Sequence, residues 1–335
     1  MLPMPDTAAR DLKSLPKAHL HVHLEGAMRP STLEELAGKA GLPVPEIRGF
    51  GSFSAFSETY VAACQVLLTP DDFARLVYEV VEDSVLGGAV WVEPSFYAPH
   101  HRARFGTDEE IIDMVLAAAA DAAAKLDVGV GVMIAGDRTV DPAVAVDQAR
   151  IAVSARDRGV VSFGLANDEV LGPPEPFADA FAIARDGGLL STPHAGELVG
   201  PESIWGALDT LGPDRIQHGV RAVEDPELVA RLADSDICLD VCPTSNLLLS
   251  VYPSLDVHPL PQLLDAGIQC SLNGDDPLLF GPVLLHEYEL ARTEMGLDDA
   301  ALASVARASI TGSGAPDALK ASALRSIDDW LAASS

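Results

Sequence analysis

The sequence predicts an α/β fold, one (β/α)8 barrel over residues 1–335 as a single domain. Three observations predict it. Eight short apolar runs alternate with longer helical stretches, and no hairpin turn joins any two runs. With 335 residues and 48% hydrophobic side chains, the chain can fill one large core. Side chains suited to catalysis also stand at the C-terminal ends of four runs, where such a barrel gathers its site. A doubly wound open sheet is the alternative. To hold a dinucleotide it needs a G-x-G-x-x-G turn after an early strand, and the sequence has none.

The elements follow in order. Residues 1–14 are polar and expected to fray. From 17 to 26 apolar residues alternate with histidines, which predicts a strand with His19, His21 and His23 on one face. For that stretch alone, a half-buried strand with its histidines in water is the plain alternative. Gly26 ends it with no side chain to obstruct a ligand. Pro30 and Ser31 read as a capped helix start leading into 32–37. Residues 43–60 hold Pro43, Pro45, Gly49, Gly51 and three phenylalanines, and read as an irregular lid over a site. A helix over 71–86 precedes a buried strand at 89–93. Helices at 109–125, 142–157, 177–186, 201–211, 225–234 and 259–266 then lead to runs at 128–135, 160–165, 189–194, 215–218, 237–241 and 270–273. Extra C-terminal helices fill 283–335. No repeat or low-complexity linker marks a second domain.

Composition narrows the function classes. Twenty-two basic against fifty acidic side chains give a net charge of -28, which repels phosphate backbones. Nucleic acid and anionic membranes are therefore excluded as partners, and no uncharged apolar run approaches the roughly 20 residues of a membrane span. Cys64, Cys238, Cys242 and Cys270 lack close pairing and read as buried free thiols. The expected location is cytoplasmic. The expected partners are a small-molecule substrate and water, with a homo-oligomer allowed.

The chemistry-bearing residues fall where the barrel demands. His21 and His23 close the first run. His194 closes the fifth, in Thr192-Pro193-His194-Ala195-Gly196-Glu197, and His218 the sixth. Asp275 and Asp276 follow the eighth, in Asn273-Gly274-Asp275-Asp276-Pro277. Singly, such a histidine is often structural and Asp-Asp-Pro is a turn. Together, three imidazoles and a carboxylate suit a catalytic zinc with an open position for water. His100, His101 and His258 carry no motif and are expected at the surface. His19, at the start of its strand, is expected near the barrel bottom.

His21-Val22-His23-Leu24-Glu25-Gly26, His194-Ala195-Gly196-Glu197, His218-Gly219, Cys242-Pro243-Thr244-Ser245-Asn246 and Asn273-Gly274-Asp275-Asp276-Pro277, in this order, resemble the adenosine deaminases of the amidohydrolase superfamily. The resemblance runs over roughly residues 15 to 290. It implies a TIM-type barrel hydrolase that turns adenosine or deoxyadenosine into inosine or deoxyinosine plus ammonia. It implies one Zn2+ per chain, held by His21, His23, His194 and Asp275. By the same resemblance Glu197 protonates purine N1, and His218 orients and helps deprotonate the attacking water. Asp275 is counted with them as catalytic. Asp276 bonds N7, and His23, Glu25, Asn167 and Gly196 complete the substrate contacts.

Three departures bear on substrate. Glu25 stands where these deaminases usually have Asp for the ribose 5′-hydroxyl, and its extra methylene moves the carboxylate by roughly 1.5 Å. Asn167, in Phe163-Gly164-Leu165-Ala166-Asn167-Asp168-Glu169, replaces the usual glycine at purine N3, and Gln217 replaces a glycine before His218. The run 164–169 and Asp275-Asp276-Pro277-Leu278-Leu279-Phe280-Gly281 are similar to aminodeoxyfutalosine deaminases of menaquinone synthesis. Glu25 and Gln217 are similar to adenine deaminases. A zinc amidohydrolase acting on another amidine or lactam is a further reading, as is an inactive binding relative. No ligand is lost and Glu197 is present, which disfavours the last.

Overall fold

The structure, a computed structural model, describes residues 10–47, 53–281 and 283–333. Eight parallel strands lie side by side in chain order: β1 (Lys17–His23), β2 (Ala89–Phe96), β3 (Val132–Asp137), β4 (Val160–Ala166), β5 (Leu190–Ala195), β6 (Arg215–His218), β7 (Cys238–Val241) and β8 (Gln269–Leu272). A two-residue strand, Gly129–Val130, pairs with β2 just ahead of β3. Every ladder is parallel, as expected when a helical crossover separates each strand from the next. The helices include α1 (Pro30–Ala40), α2 (Phe53–Cys64), α3 (Pro70–Leu86), α4 (Asp108–Leu126), α5 (Pro142–Ser154), α6 (Ala178–Asp186), α7 (Pro201–Thr210) and α8 (Pro226–Ala233). After them come α9 (Pro243–Leu248), α10 (Leu260–Asp265), α11 (Leu284–Thr293), α12 (Asp299–Gly312) and α13 (Asp317–Ala332). The chain forms the predicted (β/α)8 barrel with extra C-terminal helices. No described helix is long and apolar enough to cross a membrane.

The barrel closes irregularly. Asn273, just past β8, accepts the Leu20 and His21 N–H groups on its side-chain Oδ1, at 2.8 and 3.1 Å. Asp275 N–H then donates to the His21 carbonyl (3.0 Å), and His23 N–H donates to the Asp275 carbonyl (2.9 Å). A side chain and a loop thus replace a regular ladder, which turns Asp275 toward the ends of the imidazoles on β1. Below this seam Arg215 is fully buried between Glu93 (2.7 Å) and Asp240 (2.9 Å) and also donates to the Gly312 carbonyl. Ser271 Oγ donates to the other Asp240 oxygen. The cluster ties β2, β6, β7, β8 and α12 together with its buried charges paired, as their desolvation requires.

Three local expectations are corrected. α1 has Pro30 in its first turn and Arg29 as its N-cap, with no side-chain cap from Ser31. Within the proposed lid, residues 53 to 64 form α2, because Pro and Gly stop at 51 and the phenylalanines find partners. Phe56 stacks on Phe280 at 5.3 Å between centroids and packs against Phe53. The part of the lid at 48–52 lies outside the described residues, as do residues 1–9 of the frayed segment. Residues 10–14 are not frayed: Arg10 pairs with Asp299 (2.8 Å) and donates to the Trp330 carbonyl, and Leu12 is buried.

Candidate active site

The alternation of β1 turns His21 and His23 to one side, at the C-terminal mouth of the barrel. His194 at the end of β5 and Asp275 after β8 meet them there. One ligand atom from each of the four lies within 4.8 Å of every other. The hydrogen bonds around the imidazoles decide what they offer. His21 Nδ1–H donates to the Asp240 carbonyl (3.1 Å) and His194 Nδ1–H to the Leu165 carbonyl (2.9 Å), since a carbonyl only accepts. Both therefore aim an Nε2 lone pair inward. The buried His21 Nε2 has no hydrogen-bond partner, although Asp275 Oδ1 is 3.2 Å away, and His23 Nε2 lies 3.3 Å from the same oxygen. Two nitrogen lone pairs, with His23 Nε2 and the Asp275 carboxylate beside them, fit a divalent cation of the zinc type.

Around that cluster stand two protonatable carboxyls. Glu197, on the loop after β5, is pushed well above the usual carboxylate range by burial, then by the charges of Asp275, Glu169 and Asp276. Its Oε1 is buried without a partner, and its Oε2 lies 3.4 Å from His218 Nε2. Asp276 is raised in the same way, by burial and then Asp275, and its Oδ1 also lacks a partner. A hydrogen-bonding ring between these two unsatisfied oxygens would meet a proton on each side.

The Glu197 loop is held by a residue that the sequence reading did not single out. Glu169 accepts the Gly196 N–H on one oxygen (2.6 Å) and those of Glu197, Leu198 and Val199 on the other (3.0, 2.7 and 2.9 Å). Arg138, nearly fully buried, donates to the His194 carbonyl at 2.5 Å. Backbone conformations are unusual at this end of the barrel. Asn167, His218 and Asp275 account for three of the five non-glycine residues with positive φ among the described residues. Such strain persists only where the surroundings over-determine it.

Gly26 has a different use from the one its sequence position suggests. A Cβ there would lie 1.6 Å from Asp276 Oδ1, so the glycine makes room for the carboxyl itself. Gly26→Ala is expected to displace Asp276 and cost roughly 10²-fold in kcat/KM, the scale of a 1 Å misplacement. Steady-state kinetics, with circular dichroism to confirm the fold, check this; unchanged kcat/KM removes Asp276 from the site.

A cavity of about 820 Å3, counting its mouth, opens over the cluster. His23, His194, Glu197, His218, Asp275 and Asp276 form its floor. Phe53, Phe56, Tyr60 and Val61 of α2 wall one side, and Tyr97, Asp137 and Asn167 the other. Two expected substrate contacts sit behind this surface. Glu25 is 1% exposed, with His101 Nε2 at 2.7 Å on one oxygen and the Tyr60 hydroxyl at 2.8 Å on the other. Burial raises its pKa, and the bond and charge of His101 more than reverse that. Gly196 has its N–H on Glu169 and its carbonyl on Arg221 N–H. Asn167 does line the cavity. Its φ of 78° is one that asparagine tolerates in place of glycine, and its amide is engaged by Asp137 Oδ2 (3.0 Å) and Asp168 N–H (2.8 Å).

The three histidines expected at the surface, His100, His101 and His258, are not there. His101 and His258 are buried, and His100 lines the cavity against Tyr97. His19 is buried too, bonded to Ser84 Oγ and accepting the Gly274 N–H at 3.1 Å, so it supports the loop that carries Asp275. The partners of His19 and His101 lie far away in sequence, which no local pattern reveals.

A sequence profile of the family described as adenosine deaminase matches residues 16–330. A Streptomyces coelicolor protein named as an adenosine/adenine deaminase is 45% identical over 343 aligned residues, covering 97% of this chain and 99% of that one. The crystal structure of an adenine deaminase from Arthrobacter aurescens superposes with a TM-score of 0.89 at 30% identity, covering 95% of this chain and 99% of that one. An amidohydrolase from Burkholderia ambifaria, solved with bound Zn, superposes with a TM-score of 0.87 at 28% identity, covering 96% and 93%.

Proposed function

The chain belongs to the adenosine deaminase family and is a purine deaminase, and from that premise we propose that its substrate is an N9-substituted 6-aminopurine, a nucleoside of the adenosine type, deaminated with one bound Zn2+. The observation that carries the chemistry is the pair of carboxyls, Glu197 and Asp276, which both line one cavity beside the four-residue ligand cluster and are both pushed well above the usual carboxylate range.

His21, His23, His194 and Asp275 would hold the metal, which when bound supplies a Lewis acid that brings the pKa of water down to about 7. The chain's own residues do the rest. Glu197, whose pKa burial raises first of all, gives its proton to ring N1 and makes C6 electrophilic. Asp276 donates to N7 and fixes the ring plane. Water adds its oxygen to C6; one of its protons leaves with the amino group as ammonia, and the other restores Glu197. His218 Nε2 faces the reacting oxygen from the Glu197 side.

The cavity supports the nucleoside reading, since it runs past the reacting groups to α2 and to Asp137 and Asn167, leaving room for a substituent. Free adenine is the second reading. The burial of Glu25 under Tyr60 and His101, which takes away an expected sugar contact, favours it. Ammonia release from adenosine, deoxyadenosine, aminodeoxyfutalosine and adenine, measured side by side, separates the two. An N9-substituted purine is expected to lead adenine by at least about 10-fold in kcat/KM, the scale of a lost polar contact. Adenine ahead of all three overturns the nucleoside reading.

A further inference from the structure

Behind His218 runs a chain of hydrogen bonds whose polarity is fixed from its far end. The Leu260 N–H donates to His258 Nδ1 (3.2 Å). A backbone N–H only donates, so that nitrogen is a lone pair and the neutral ring carries its proton on Nε2. His258 Nε2–H faces the Asn246 side chain at 3.2 Å and must meet its carbonyl oxygen. The Asn246 NH2 is thereby turned to His218 Nδ1, 3.3 Å away, which must accept. His218 is left with its proton on Nε2, 3.4 Å from Glu197 Oε2 and 3.9 Å from Asp275 Oδ2. His218, Asn246 and His258 are all buried.

We infer that Asn246 and His258 are positioning residues that lock His218 as the Nε2–H tautomer, making it a hydrogen-bond donor to the oxygen that attacks C6. The inference rests on the purine deaminase reading. The contrast within the site is sharp. His21 and His194 give their Nδ1 protons to carbonyls and turn lone pairs inward, whereas His218 has the opposite tautomer in the same cluster. A protonated Nε2 does not ligate a cation and does not take a proton. On this inference His218 orients and polarises the water rather than deprotonating it.

Asn246→Asp tests this with almost no change of shape. A carboxylate accepts from both neighbours, so it selects His218 with the proton on Nδ1 and the lone pair on Nε2. In the purified, metal-loaded wild type, 15N spectra of labelled histidine are expected to show His218 with an unprotonated Nδ1 and a protonated Nε2. In Asn246→Asp the two exchange. The variant is expected to lose at least about 10²-fold in kcat, since a wrong tautomer costs up to about 10⁴ in a well-studied hydrolase, with KM changed by less than about threefold. His258→Ala frees the amide to rotate and is expected to lower kcat as well, while His258→Gln, which keeps an N–H donor, recovers part of it. A protonated His218 Nδ1 in the wild type overturns the assignment, and so does full kcat in Asn246→Asp. Absence of turnover on every purine with the tautomers as assigned would instead sink the functional reading alone.

Discussion

Glu197→Gln is expected to lower kcat by at least about 10²-fold while leaving the metal content unchanged. Glutamine keeps the size of the side chain and the Glu169-held loop but has no acidic proton. The wild-type carboxyl is raised above its ordinary range by burial and by three neighbouring carboxylates. It therefore holds its proton to higher pH than an ordinary carboxyl, and it loses the proton as pH rises through its shifted pKa. Wild-type kcat/KM should accordingly fall on the alkaline side, and the residual rate of Glu197→Gln should lack that limb. Ammonia release against pH, with elemental analysis of both proteins, measures this. A variant that keeps most of its kcat removes Glu197 from the proton path.

Stripping the metal with a chelator is expected to abolish turnover, and His194→Ala to lose both metal and activity. Burial, ahead of the charges of His21 and His23, pushes the His194 pKa well below its ordinary value, so the ring stays neutral. Its Nδ1–H is held by the Leu165 carbonyl, and such an anchor both orients a ligating histidine and raises its basicity. The purified protein should carry about one zinc per chain, with the wild type reloaded by added Zn2+ and His194→Ala not. Full activity in demonstrably metal-free protein would sink the assignment of all four ligands.

The strands were legible because each is a short apolar run flanked by helical periodicity, and the ends of β1, β5, β6 and β8 carry the residues that a barrel gathers at one mouth. Helix α2 was not, because the prolines and glycines at 43–51 masked the start of a regular segment whose phenylalanines pack partly on the cavity. Glu169 gave no local sign of its role, since its four N–H donors come from a loop 27 to 30 residues downstream. His101 finds Glu25 across 76 residues, and a lone histidine without a motif reads as a surface residue until that contact is seen. Glu25 was placed against the substrate from its motif, but nothing in the motif foretold that Tyr60 and His101 would claim both of its oxygens.

The seam between β8 and β1 ties ligand chemistry to the mechanical integrity of the fold. Asp275 donates to the His21 carbonyl and accepts from the His23 N–H across it, and the side chains of His21 and Asp275 face one candidate cation position from opposite banks. An ion held there would act as a rivet between the first and last staves of the barrel, at the joint with the fewest regular rungs. Opening of the barrel at that joint would then release the ion, and removing the metal is expected to speed exchange of the Leu20, His21 and His23 amides with solvent.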